Sequence, residues 1–158
     1  MYCEEKVTEM KHSTFFKIIL CIPLVLVAGI FLLYILSPIY NDHVAKNLVR
    51  ELQEIPLPEK TELIEEKSMA AKLCGNGNGM EYFGALLIKS DLTQEDLNTY
   101  YTRFGEKYHV KPQNDNEIKQ IETQAANFNT SIDGDDYYIL YTWGNYHGIF
   151  SEFDLRGH

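Results

Sequence analysis

Positive charge is scarce in this chain: 14 lysines and arginines stand against 23 aspartates and glutamates in 158 residues, a formal net charge of -9. A field of that sign repels polyanions, which excludes nucleic acid and makes anionic headgroups and phosphate-rich wall polymers poor partners. Cations and basic proteins remain allowed, and the plainest role of the charge is solubility. Cysteine is scarcer still. Cys3, Cys21 and Cys74 fall in a tail, an apolar stretch and a polar domain, so a disulfide scaffold is excluded. An unpaired Cys74 reads as a small buried hydrophobe, with an intermolecular bridge or a reactive thiol as its alternatives. The spacings that carry recognisable chemistry are missing too. No G-x-S-x-G surrounds a serine, and His43, His109, His147 and His158 offer no H-E-x-x-H pair. No Gly-Lys-Ser/Thr sequel marks a phosphate loop. No catalytic residue, no metal ligand and no cofactor is implied.

One long apolar run is present. From Ile18 to Leu36 there are 19 residues without a charge and with almost no hydrogen-bonding side chain. At 1.5 Å of rise per residue, about 20 apolar residues cross a hydrocarbon core of roughly 30 Å, and Ile39 and Tyr40 carry the run into the interface. A bulky Leu20 before Cys21 argues against lipidation. Ala28 and Gly29 are small, but the run continues past them, which favours an uncleaved anchor over a signal peptide. Pro38 is expected to end or kink the helix. Lys6, Lys11 and Lys17 precede the run while Lys46 and Arg50 follow it, so the basic bias tips towards a cytoplasmic N-terminus and an extracytoplasmic C-terminal domain.

The expected organisation is a tail over residues 1–17, a transmembrane helix over 18–40, a stalk helix and connector over 41–57 and one domain over 58–158. Residues 41–158 hold 11 of the basic and 20 of the acidic residues and carry the whole net charge. That length suits one folded unit. Asn41 and Asp42 can cap a separate stalk helix with Val44, Leu48, Leu52 and Ile55 at helical spacing, stopped by Pro56 and Pro58. Thr61–Leu73 reads as an irregular strand, and Met80–Lys89, apolar on both faces, as a central one. The Asn-Gly pairs between them signal a hairpin. Thr93 and Asp96 have capping-box spacing before a helix in which Leu97, Tyr100, Tyr101 and Phe104 form a core stripe ending near Gly105.

Beyond that helix, Tyr108–Lys111 is a candidate short strand, Asp115–Gln120 a loop, and Ile118–Phe128 leans towards a strand. Tyr137–Trp143 is an aromatic and β-branched strand. Gly144–Gly148 then reads as a turn, and Ile149–Leu155 as an alternating strand closing a second hairpin. The fold class expected is α+β: a small, mostly antiparallel sheet with one packed helix, behind the membrane and stalk helices.

Two places stand out as candidate binding sites. The loop Gly75-Asn76-Gly77-Asn78-Gly79 has the composition of an anion-binding nest, although turn chemistry is the favoured explanation. The closing Asp154-Leu155-Arg156-Gly157-His158 sets Asp154 and Arg156 two residues apart on one strand face, as a surface ion pair or, with His158, as a contact for a partner. Asp133-Gly134-Asp135-Asp136 has three carboxylates but no EF-hand spacing, and a solvated turn accounts for it.

Leu57-Pro58-Glu59-Lys60-Thr61-Glu62, Lys72-Leu73-Cys74-Gly75-Asn76-Gly77-Asn78-Gly79-Met80, Leu87-Ile88-Lys89-Ser90 and the closing Asp154–His158 together resemble a group of small uncharacterised membrane-anchored proteins of Gram-positive, clostridia-like bacteria. The resemblance covers the anchor and most of the domain. It implies a bacterial plasma membrane and single-pass topology, and carries no activity with it. The function expected is a non-enzymatic protein-binding or envelope accessory module, held in the lipid bilayer through residues 18–40. The alternatives are a membrane-tethered hydrolase or thiol enzyme using Cys74, and a sensor of a small ligand or cation.

Overall fold

The computed structural model describes residues 2–75 and 79–158, with side chains described for Lys17, Ile19 and the described residues from Cys21 onward. Helix α1 runs unbroken over Tyr2–Glu54. The stalk helix expected to begin afresh at Asn41 is therefore the continuation of the apolar helix, and Pro38 does not end it. Proline removes the donor that would serve the Tyr34 carbonyl but fits helical φ, so an interior proline is tolerated where other contacts hold the backbone. Those contacts exist here. Ser37 Oγ donates to the Leu33 carbonyl at 2.7 Å, and Arg156 Nη2 donates to the Pro38 carbonyl at 3.1 Å.

Four strands follow: β1 Thr61–Ala71, β2 Glu81–Ser90, β3 His109–Pro112 and β4 Tyr137–Gly144. They form one antiparallel sheet in the order β1-β2-β4-β3. The α+β class is as the sequence predicts. β1 and β2 make the expected hairpin around the glycine loop, and a register shift between Leu63 and Glu65 accounts for the irregularity of β1.

β2 is buried along almost its whole length because both its faces are covered. Leu86 and Ile88 face Val49 and Leu52 of α1 and Ile55 just beyond it, together with Leu97 and Tyr101 of helix α2, Gln94–Thr102. Phe83, Ala85 and Leu87 face Ile118, Ile121, Ala126 and Phe128. Thr93 caps α2 by accepting the Asp96 amide at 3.2 Å, and its hydroxyl donates to the Asp96 carboxylate at 2.7 Å. Leu97 and Tyr101 of the expected stripe are core, whereas Phe104 is exposed.

Two expectations are corrected. Ile118–Phe128 is an irregular layer, with an isolated bridge between Glu117 and Asn127 in place of a strand. Its four buried apolar residues follow neither a helical nor a strand period. Its polar backbone is instead satisfied piecemeal: Ile118 and Phe128 amides reach Ala126 and Asn116 carbonyls, and Glu122 and Thr123 amides reach Leu73. At its end the Glu65 carboxylate accepts the Asn129 and Thr130 amides.

The closing segment is not a strand, and the hairpin expected over residues 137–155 does not form. β4 uses one edge on β2 and the other on β3, so a returning strand has no full edge to join. Ile149–Glu152 forms a short helix, α3, whose Gly148 amide donates to Ser151 Oγ at 3.0 Å, and Leu155–Gly157 forms a 3-10 turn. The segment packs on α1 instead.

Candidate functional site

The helix face that meets the domain is marked by burial at Ser37, Asn41, Ala45, Val49 and Leu52, continued by Ile55 just past the helix end, with three four-residue steps followed by two three-residue steps. The stripe expected from Val44 and Leu48 is shifted by one position, and those two residues pack partly buried at its margin. Gly84 of β2 makes the close approach possible. A Cβ there would come within 2.6 Å of Leu48 Cβ and 3.0 Å of the Val49 amide nitrogen.

At the lower end of this seam lies a buried polar network. Asn41 Nδ2 donates to the Asp154 carboxylate at 2.8 Å and to the Phe150 carbonyl at 3.0 Å, and its Oδ1 accepts the Tyr82 hydroxyl at 2.8 Å. Arg156 grips both oxygens of Asp154, Nε at 3.0 Å and Nη2 at 2.8 Å, and reaches Asp42 with Nη1 at 2.7 Å. Asp154 is fully buried and Arg156 is about one-third exposed. The pair expected on a strand surface is thus a bidentate clamp between the end of the domain and the helix. Paired donors and a fixed fork give such a clamp its geometric definition.

The electrostatics follow from this arrangement. Burial alone would raise the Asp154 carboxyl, but hydrogen bonds from Arg156 and Asn41 outweigh it and hold the group below the usual carboxylate range. Arg156 is raised chiefly by its bond to Asp154. Tyr82 is pushed up to about 12 by burial first and by neighbouring Tyr146 and Asp154 next, so it acts as a neutral donor. None of these groups is poised to exchange a proton near neutrality; the network fixes orientation.

The other predicted site residues fall beside it. Gly75 and Gly79 have φ of 63° and 141°, conformations that favour glycine; Asn76, Gly77 and Asn78 lie outside the described residues. The amides that a nest would use on the approach are already engaged: Leu73 and Cys74 both donate to the Glu81 carboxylate at 2.7 Å, and Gly75 to Glu122 at 3.4 Å. The Gly79 amide donates to the Gly157 carbonyl and the Lys72 amide to the Arg156 carbonyl, each at 2.8 Å. The described ends of the glycine loop and the chain's tip therefore meet. His158 stands apart from the clamp, with Nε2 3.2 Å from the Glu152 carbonyl.

Cys74 Sγ donates to the Gln120 carbonyl at 3.4 Å. Burial, then the charges of Glu81 and Glu122, raise its thiol above the ordinary value, the opposite of what a nucleophilic thiolate needs. Asp136 of the acidic turn pairs with Lys89 at 3.4 Å. Among the described residues, no group of three or more His, Cys, Asp and Glu side chains is gathered as a metal ion would require.

An open cleft of about 260 Å³ borders the clamp between α1 and β1, lined by Asp42, Lys46, Ser68, Gln124 and Arg156 among others. Below the seam the same helix is different: Leu24, Val25, Leu26, Phe31 and Ile35 are all more than 60% exposed. Near the N-terminus the chain thus has one helix long and apolar enough to cross a membrane.

What the fold and seam define is an α+β domain built onto the continuation of an apolar helix. The sequence matches no family model, and no curated protein and no solved structure matches it. Sequence reasoning missed Asn41 as a buried partner of Asp154, having assigned it to a helix cap. Two small polar residues four apart, Ser37 and Asn41, followed by Ala45 at the same spacing, were the available signal.

Proposed function

We propose that the chain is a single-pass membrane protein whose acidic α+β domain is a non-enzymatic protein-binding or envelope accessory module. The observation that carries this reading is the change along α1. Over its apolar stretch the helix offers bare aliphatic surface to its surroundings, and from Ser37 onward the same helix is part of the domain's core. A water-facing surface of that kind is unfavourable in a soluble domain and appropriate in lipid. The raised thiol of Cys74 and the orientation-fixing role of the Asp154 network support a binding module over a thiol enzyme.

Alkaline carbonate extraction of membranes containing the full chain tests the anchor: the protein stays with the lipid pellet, and release into the supernatant refutes it. Crosslinking in those membranes followed by mass spectrometry tests the module, which requires a reproducible protein partner. The basic bias of the flanks favours an N-terminus in the cytoplasm. A C-terminal reporter active only outside the cytoplasm is then active, and an inactive one on a well-expressed fusion reverses the orientation.

A further inference from the structure

The end of the domain reaches down the apolar helix. Phe153 sits edge-on to Tyr34 with ring centroids 5.2 Å apart, Phe150 stacks on Tyr40 at 4.6 Å, and Tyr146 lies 5.6 Å from Tyr40. Tyr34 and Tyr40 are six residues apart, about 9 Å along a helix axis. The segment around α3 therefore descends past Pro38 to the level of residues inside the apolar run. Two of its aliphatic side chains are exposed, Ile149 at 56% and Leu155 at 71%, as are Ile35 and Ile39 of the helix on which the segment packs.

The polar groups at the seam are satisfied within the protein, while the exposed Glu152 carboxylate keeps its side of the segment in the headgroup layer. Asp154 is buried and clamped, and the Arg156 guanidinium is shared among Asp154, Asp42 and the Pro38 carbonyl. The Arg156 and Gly157 carbonyls are taken by the Lys72 and Gly79 amides, and the Gly157 amide donates to the Asp154 carbonyl. Backbone left unpaired at such a depth costs several kcal/mol per group, and these groups are paired.

We propose that Ile149, Phe150, Phe153 and Leu155 form an interfacial wedge that seats the domain on the bilayer beside its own anchor, its occupant being the boundary between headgroups and acyl chains. The inference rests on the anchoring reading above and adds a second lipid contact to it. Continuity with the apolar helix selects lipid over a protein partner, because anything covering this face beside Tyr34 must lie at membrane depth. The net negative charge makes the attachment apolar in kind and independent of anionic headgroups. Of the five aromatic rings gathered here, Tyr34, Tyr40 and Tyr146 are of the kind enriched in the belts that mark membrane interfaces.

The test uses the full chain, with its three cysteines replaced by serine, reconstituted into phosphatidylcholine vesicles containing lipids brominated at a shallow or a deep acyl position. A single cysteine carrying an environment-sensitive fluorophore is placed by Leu155→Cys, by Ile149→Cys, by Ile30→Cys in the anchor or by Asp135→Cys on the far side of the domain. The wedge predicts several-fold stronger quenching at 155 and 149 than at 135, greatest with the shallow bromines, and quenching at 30 greatest with the deep ones. Quenching at 30 without quenching at 155 and 149 overturns the wedge and leaves the anchor standing, as does a crosslink between copies at 155 that replaces lipid contact. No quenching at 30 or at 155 and 149 overturns both.

Discussion

Residues 21–36 and residues 37–54 belong to one helix, yet they solve opposite problems. The first stretch is apolar nearly all round and shows most of that surface. The second is charged on its outer side and buries a narrow stripe against the sheet. The difference lies less in helix propensity than in what each half is given to touch. In the lower half Gly29 has nothing within 4 Å of where a Cβ would stand, whereas in the upper half Leu48 is pressed against Gly84 closely enough to exclude one. A helix that passes without a break from exposed apolar surface into a packed core transmits its position directly to the domain, provided that the seam holds.

The largest expected effect comes from breaking the clamp. Arg156→Leu leaves the buried Asp154 carboxylate with Asn41 as its remaining side-chain partner, and because Arg156 is itself partly exposed the cost lies at the lower end of the range of about 3–5 kcal/mol for a fully buried pair. Urea unfolding of the full chain in detergent, followed by Trp143 fluorescence, measures it, and a loss under about 1 kcal/mol contradicts the role assigned to the clamp. Next comes overpacking: Gly84→Val forces α1 off the sheet and costs about 1–3 kcal/mol. Gly29→Val in the open half of the same helix leaves domain stability unchanged, and equal effects at the two glycines erase the contrast between the halves.

Acid gives a smaller, graded effect. The folded Asp154 carboxyl lies below its unfolded value, so the unfolded chain takes up the proton first. The stability this group contributes is complete above the unfolded value of about 4 and is lost as pH falls through the folded value. Glu65, held down by the Asn129 and Thr130 amides against its desolvation, acts in the same direction. Asp154→Asn therefore flattens the acid limb of stability against pH, and an unchanged limb shows that other carboxylates set it. The smallest effect is at the exposed Lys119–Asp115 pair, where Lys119→Ala changes stability by no more than about 0.5 kcal/mol.

Much of the architecture was legible because it is written in short-range patterns. The apolar run, the doubly buried β2, the glycine hairpin and the Thr93 cap each follow from local periodicity or turn chemistry. What was not legible depended on partners far along the chain. Ile149–Leu155 alternates as a strand would, but β4 has no full edge left for it, and that fact belongs to the sheet rather than to the segment. Asn41 has the character of a cap, and becomes a core residue because Asp154 arrives 113 residues later. Pro38 looks like a stop, and is overridden because Arg156 and Ser37 hold the carbonyls around it. Of the candidate site, Asp154 and Arg156 were visible as a pair, while its burial and its bond to the helix were not.

Hydrogen–deuterium exchange of the full chain in lipid nanodiscs tests the central claim, that one continuous helix joins the apolar stretch to the domain's core. The account predicts slow exchange running without interruption over residues 24–52, through Pro38 and Asn41 and into the turns packed on β2. Fast exchange confined to residues 37–43, between two protected stretches, would make the anchor and the domain separate bodies on a hinge and contradict it.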